Sequence, residues 1–93
     1  MARLMVKAEE PRVSPAQVRA ARAWLNWNQD YLAKRAEVSK TTLNRFEQGF
    51  SVLHFETSDR LRRTLEEAGI RFQFRKMVAL GISIANTADD VSE

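Results

Sequence analysis

The sequence has no cysteine, which excludes disulfide bonds and thiolate metal sites. Its single histidine, His54, has no second histidine at ligand spacing, so we expect no metal site and place His54 in a loop. No stretch approaches the roughly 20 apolar residues that a membrane span needs. The N-terminus also lacks the apolar run of a signal peptide. We therefore expect neither a membrane contact nor an export signal.

Catalytic groups are equally scarce. The chain has three glycines and no glycine-rich phosphate loop. Its carboxylates are scattered over helical segments, and no nucleophile and base stand at a suggestive spacing. We therefore expect no enzymatic activity, no catalytic residue, no cofactor and no small-molecule ligand.

Positive charge is concentrated in the middle of the chain. Residues 12–76 hold thirteen Lys and Arg against seven Asp and Glu, whereas residues 77–93 hold three acidic residues and no basic one. This distribution favours a polyanionic partner for the folded part, although many small basic domains bind no nucleic acid.

Four helices are predicted from apolar spacing and capping residues. Ser14 and Pro15 start the first, at about 15–25, and Asn28 and Ser39 cap the second and third, at 29–36 and 40–48. A loop over 50–55 leads to a fourth helix that is capped by Thr57 or Ser58 and ends before Gly69. Trp24 and Trp27 are interpreted as core or cover. Three arginines of the fourth helix are interpreted as a solvent-exposed face that pairs with Glu66 and Glu67: Arg60, Arg62 and Arg63.

The spacing of apolar residues changes from helical to alternating after Gly69. Apolar and polar residues alternate from Ile70 to Arg75, which is typical of a strand, and Ile82 to Ala85 is a possible second strand. The fold class is therefore mainly α, a compact four-helix domain with a short C-terminal β-strand or β-hairpin. The predicted organisation is a flexible arm (1–13), a helical domain (14–69), a β extension (70–85) and a flexible tail (86–93).

The second and third helices are joined by a three-residue turn, which is the spacing of a helix-turn-helix. Ala33 permits a close crossing of the two helices, and Val38 fills the angle between them. With Leu43 and Phe46 turned inward, the outer face of the third helix carries side chains that can read base edges: Lys40, Thr41, Asn44, Arg45 and Gln48. An ordinary polar helix face is the competing interpretation.

The segment from Asn28 to Gly49 resembles the lambda repressor/Cro-type (XRE-like) helix-turn-helix. It has Gln-x-x-Leu-Ala, a short turn ending in Val-Ser, and a recognition helix that closes with Glu-x-Gly. The resemblance implies a four-helix fold, transcription regulation, and a homodimer on a palindromic double-stranded DNA operator. Glu37 departs from the family, which often has glycine at this turn position with positive φ.

The resemblance also implies roles for individual residues. Lys40, Thr41 and Arg45 match base-contacting positions, to which the outward face of the helix adds Asn44. Glu47 matches a structural glutamate. The remaining candidates are expected at the DNA backbone: Asn28, Gln29, Arg35, Ser39 and Gln48.

A dimer needs a contact surface, and residues 70–85 are the candidate, with Ile70, Phe72 and Phe74 as anchors. The fourth helix and the apolar loop over 50–55 are the alternative contacts. We expect a cytoplasmic, nucleoid-associated repressor. Two alternatives stay open: an antitoxin-type autorepressor that also binds a partner protein, and an interaction adaptor that binds no DNA.

Overall fold

The structure is a computed structural model and describes residues 12–75 and 78–85. The predicted N-terminal arm up to residue 11 and the tail over 86–93 lie outside the described residues. The described part contains four helices and one hairpin: α1 (Pro15–Leu25), α2 (Gln29–Ala36), α3 (Lys40–Glu47), α4 (Phe55–Glu67), β1 (Ile70–Arg75) and β2 (Val78–Ile84). The mainly helical fold with a C-terminal hairpin is thereby confirmed.

The first helix starts with a complete capping box. The Ser14 hydroxyl accepts a hydrogen bond from the Gln17 backbone N–H at 3.1 Å, and the Gln17 side chain accepts one from the Ser14 N–H at 2.9 Å. Pro15 occupies the first turn, where its missing N–H has no cost. Asn26, in the left-handed region with φ of 60°, ends the helix.

The second and third helices start at the predicted residues, and the turn between them lies where it was predicted. Asn28 and Ser39 accept hydrogen bonds from the backbone N–H groups of Tyr31 and Thr42. Glu37 ends α2 with φ of 59°, so the family's glycine position keeps its left-handed conformation here without glycine. Gln48 is the C-terminal cap of α3 rather than its last helical residue.

The fourth helix starts earlier than predicted. It begins at Phe55 after His54, and Ser58, one of the two expected caps, is a buried residue within it. Leu53 is buried just before this start, and the His54 carbonyl accepts a hydrogen bond from the Ser58 N–H at 2.9 Å. Leu53 is thus packed in the core two residues before the helix begins.

The core lies between the four helices and the start of β1. Its buried apolar members are Val13, Val18, Ala21, Leu32, Ala33, Ala36, Leu43, Phe46, Leu53, Leu61, Leu65 and Ile70. Val13 therefore packs in the domain although the sequence assigned it to the arm. The interpretation of Trp24 as core or cover is wrong, since Trp24 is 64% exposed. Leu25 and Trp27 cover this end of the core instead.

The hairpin packs on α1 and α4. Its strands are antiparallel, with Ile70 opposite Ile84 and Phe72 opposite Ile82, and the register shifts between Gln73 and Phe74. The second strand is longer than predicted, because pairing starts at Val78, directly opposite Arg75. Its apolar run lacks the alternation that would have marked a strand.

The buried Gln17 amide ties the hairpin to α1. Its Nε2 donates to the carbonyl oxygens of Gln73, at 3.0 Å, and Gly81, at 2.7 Å. One side chain therefore caps α1 and satisfies two strand carbonyls, a double role that its sequence position did not indicate.

Candidate nucleic-acid interface

The outer face of α3 carries the predicted base readers. Lys40, Thr41 and Arg45 are exposed and Asn44 is half-buried, whereas Leu43, Phe46 and Glu47 form the buried side of the helix. Gln29 of α2 and three of these predicted readers line one shallow groove. The three readers are Lys40, Thr41 and Asn44. Two helices thus contribute hydrogen-bonding groups to one surface.

Two further predicted contact residues are helix caps. The Ser39 hydroxyl accepts from the Thr42 N–H at 3.0 Å and donates to Thr42 Oγ1 at 2.8 Å. Asn28 Oδ1 accepts from the Tyr31 N–H at 2.8 Å. Helix N-termini attract anions because their first N–H groups lack helical acceptors and the helix dipole is positive there. The two caps therefore stand at positions suited to phosphate.

A buried carboxylate supports α3 from behind. Glu47 is 3% exposed, and its carboxylate accepts hydrogen bonds from Arg22 Nε at 2.8 Å and Arg22 Nη2 at 2.7 Å. Gln29 Nε2 donates to the same carboxylate at 2.9 Å. This network joins α1, α2 and α3, so the position of α3 relative to α2 is set by charged hydrogen bonds as well as by apolar packing.

Arg22 and Arg19 extend this network to the main chain. Arg22 Nη1 donates to the Trp27 carbonyl at 3.0 Å, and Arg19 Nη1 donates to the Glu47 carbonyl. The hydrogen bonds to Glu47 raise the pKa of Arg22 above its ordinary value, despite the opposing effect of burial. The sequence indicated Glu47 as structural, but it did not identify these two arginines as its partners.

Arg35 is held by aromatic side chains. Its guanidinium lies 5.1 Å from the Trp27 ring centre and 5.6 Å from that of Tyr31, and it donates to the Tyr31 hydroxyl at 3.0 Å. The two rings meet edge to face at 4.8 Å. An exposed arginine restrained in this way loses less conformational entropy when it binds a phosphate.

The arginines of α4 agree with the sequence interpretation only in part, since Arg63 is exposed and Arg62 approaches Glu66, but Arg60 is engaged elsewhere. Arg60 is not part of a free solvated face, because it donates to the carbonyl oxygens of Ala36 and Glu37 at 3.2 Å each. Arg62 and Arg63 pair with Asp59, at 3.1 Å each, and Arg62 also approaches Glu66 at 4.0 Å. These arginines therefore support the end of α2 and the surface of α4 itself.

Lys40 has a partner that the sequence did not predict. Its Nζ lies 3.2 Å from Asp30 Oδ1, across the turn between α2 and α3. Gln48 Nε2 donates to Asn44 Oδ1 at 3.1 Å, one helical turn away. The Gln48–Asn44 contact follows from helical spacing, whereas the Lys40–Asp30 contact depends on how the two helices cross.

The proposed dimer anchors differ in exposure. Ile70 is fully buried within the single chain, while Phe72 and Phe74 are half-buried and pack partly against the core. Ile70 therefore belongs to the core of the single chain, and of the three predicted anchors only Phe72 and Phe74 keep exposed surface. Leu80 of β2, which the sequence did not single out, is 56% exposed.

Within residues 12–75 and 78–85, no three histidine, cysteine or acidic side chains are grouped so that they could hold a metal ion. The described helices are also too short or too polar to cross a membrane.

A family model described as helix-turn-helix matches residues 18–68, which is more than half of the chain. The chain belongs to the XRE-type helix-turn-helix family. The matched range includes α1 to α4 almost entirely, and with it the surface around α3. Comparison with curated proteins gives no match.

This XRE-type protein is accordingly a DNA-binding transcription regulator. Its family is typically non-enzymatic. The lambda repressor/Cro resemblance that the sequence showed is confirmed.

Proposed function

We propose that this XRE-type regulator is a repressor that binds a palindromic operator as a homodimer, with α3 in the major groove. The observation that carries the proposal is the exposed polar face of α3, which is backed by the buried Glu47 network. Rigid placement of the reading side chains is what sequence discrimination requires, because a loosely held side chain adapts to any base.

The base-reading residues in this proposal are Lys40, Thr41, Asn44 and Arg45. Lysine and arginine match the guanine acceptors, asparagine matches adenine, and the threonine methyl group suits the thymine methyl group. The side chains assigned to phosphate are Asn28, Gln29, Arg35, Ser39 and Gln48, which stand on α2 or at the ends of α3.

Selection of bound duplexes from a random pool supplies the operator, and substitutions then test the assignments. Lys40→Ala and Arg45→Ala should each weaken cognate binding by about 1–3 kcal/mol and relax preference at defined base pairs. Arg35→Ala is the matched phosphate control and should weaken all duplexes equally. Equal losses on cognate and random DNA for all three variants would reject the groove assignment.

The dependence of DNA affinity on salt concentration provides an independent test of binding to phosphates. Each phosphate that the protein neutralises adds about −0.9 to the slope of log affinity against log salt concentration. We expect a clearly negative slope for the wild-type protein on any duplex. A slope near zero would be incompatible with binding through this basic surface.

The dimer follows from the geometry of the operator. A single recognition helix reads few base pairs, whereas two helices about 34 Å apart read two half-sites on one face of the duplex. Residues 70–85 are proposed as the contact, with Phe72 and Phe74 of β1 as anchors and the exposed Leu80 of β2 as a further apolar side chain of the hairpin.

Leu80→Glu tests this contact without touching the subunit core. Sedimentation velocity should show dissociation to monomers, and the monomer should remain folded because Leu80 is not part of the core. The matched control is Val52→Glu, in the apolar loop, where the side chain is 85% exposed. Dissociation by Val52→Glu alone would move the interface to that loop.

Repression itself is tested in a reporter assay. An operator placed over a promoter should lower transcription when the wild-type protein is present, because the bound dimer excludes RNA polymerase. The Arg45→Ala variant should restore transcription. An increase in transcription with the wild-type protein would favour activation instead.

A further inference from the structure

An acidic side chain lies beside a base-reading lysine. Asp30 is in the first turn of α2 and Lys40 is the first residue of α3, and their side chains meet at 3.2 Å. Both side chains are exposed, at 64% for Asp30 and 60% for Lys40. The Lys40 ammonium group therefore has a carboxylate acceptor in the absence of DNA.

Stability does not explain this pair. Exposed ion pairs contribute about 0–1 kcal/mol to folding, since solvent screens the attraction and two flexible side chains lose entropy. A carboxylate at a surface that receives phosphates is also repelled by them. Asp30 also lies in the first turn of α2, where a carboxylate is favourable, but that effect does not require Lys40 as a partner. The pair itself is therefore better explained by an effect on Lys40.

Lysine is prone to non-specific contacts. Its ammonium group is a point charge on a flexible stem with three donors, so it can reach a phosphate as easily as a base edge. A phosphate contact carries no sequence information. An interaction that makes contact of this lysine with phosphate less favourable than its contact with a base would raise discrimination between operator and random DNA.

We propose that Asp30 is a specificity-determining residue that holds the Lys40 ammonium group at the α2–α3 junction and lowers affinity for DNA without a matching base. The proposal rests on the base-reading role of Lys40 in the proposed function. On random DNA, a phosphate must displace Asp30 from the Lys40 ammonium group before it can bind that group. On the operator, the guanine acceptors lie close to the position at which Asp30 holds the Lys40 ammonium group, so the base contact forms without loss of that pair.

The test is Asp30→Asn, which removes the charge and keeps the size of the side chain. We expect affinity for random duplex to rise more than affinity for the selected operator, so that their ratio falls about two- to fivefold, the range of an exposed ion pair. Both duplexes are measured at the same salt concentration, because affinity depends on it.

Two further variants separate a local effect from one of net charge. In a Lys40→Ala background, Asp30→Asn should leave the ratio unchanged, because Asp30 acts through Lys40. Glu66→Gln is the matched control for net charge, since Glu66 is also a carboxylate beside a basic side chain, Arg62, but on α4 where the chain leads into the hairpin. It should change the ratio little.

Three results would overturn the inference: an unchanged ratio in Asp30→Asn, the same fall in the Lys40→Ala background, or the same fall in Glu66→Gln. These differ from failure of the proposed function, in which the wild-type protein itself would not distinguish operator from random duplex. That result would reject both proposals together.

Discussion

Helix α1 holds the recognition helix α3 on one side and the hairpin on the other, through different kinds of contact. Arg22 forms a bidentate ion pair with the buried Glu47 of α3. Gln17 donates two neutral hydrogen bonds to strand carbonyls of the hairpin. The hairpin is also anchored by Ile70, which is fully buried in the core that the helices share.

The contacts on the α3 side and those on the hairpin side differ in how strongly they fix orientation. Charged bidentate hydrogen bonds are strongly directional and therefore fix the orientation of α3. The hairpin is attached by two neutral hydrogen bonds from Gln17 together with apolar packing, which depends on buried area and has little directionality. The two attachments should thus fail in different ways when they are disrupted.

The largest effect is expected on the α3 side. Glu47→Ala leaves Arg22 and Gln29 without their common acceptor, and we expect the free energy of unfolding to fall by about 3–5 kcal/mol. Urea denaturation followed by circular dichroism measures it. Glu47→Gln keeps the shape and one acceptor and should lose less. A loss below about 1 kcal/mol for Glu47→Ala, the range of an exposed pair, would contradict a structural role for the network.

Removal of apolar contact tests the hairpin side. Ile70→Ala should lower the free energy of unfolding by about 2–5 kcal/mol, since it deletes fully buried methyl and methylene groups and leaves a cavity. Ile70→Val, which removes one methyl group, should cost about 0.5–1.5 kcal/mol. Equal, small effects of both variants would show that the hairpin adds little to the core.

Gln17 tests whether the two attachments are separable. Gln17→Ala leaves the carbonyl oxygens of Gln73 and Gly81 without this donor and should cost about 1–3 kcal/mol. Hydrogen exchange should speed up in the hairpin and in the first turn of α1, whose capping box is also lost. If amides of α3 lost protection to the same extent, the two attachments would form one cooperative unit.

The smallest effect concerns the turn between α2 and α3. Glu37 has φ of 59°, and Glu37→Gly should raise the free energy of unfolding by about 0.5–1 kcal/mol, because glycine adopts this conformation without strain. Thermal unfolding detects this change. Asn26→Gly should gain less, since asparagine tolerates the left-handed region better. A loss of stability in Glu37→Gly would mean that the Glu37 side chain contributes more than its backbone strain costs.

Much of the fold could be read from local sequence signals. The caps Ser14, Asn28 and Ser39 act on N–H groups two or three residues away, so their roles are visible in a short stretch of sequence. The family motif around α2 and α3 likewise has fixed spacing. The exposed face of α3 followed from helical period once Leu43 and Phe46 were assigned to the core.

Other predictions were wrong, or features were missed, because those features depend on residues distant in the sequence. The start of α4 comes just after Leu53, which packs in the core, and the extent of β2 depends on its pairing with β1. The exposure of Trp24 depends on where the core ends.

The sequence by itself determined the first three helices, their N-terminal caps and the family, because these depend on residues within one or two turns of each other. Only the tertiary structure decided the partners of long polar side chains: Arg22 with Glu47, Lys40 with Asp30, and Gln17 with the hairpin. Such side chains reach several angstroms in many directions. Their partners are therefore selected by how the helices cross and not by their spacing along the chain.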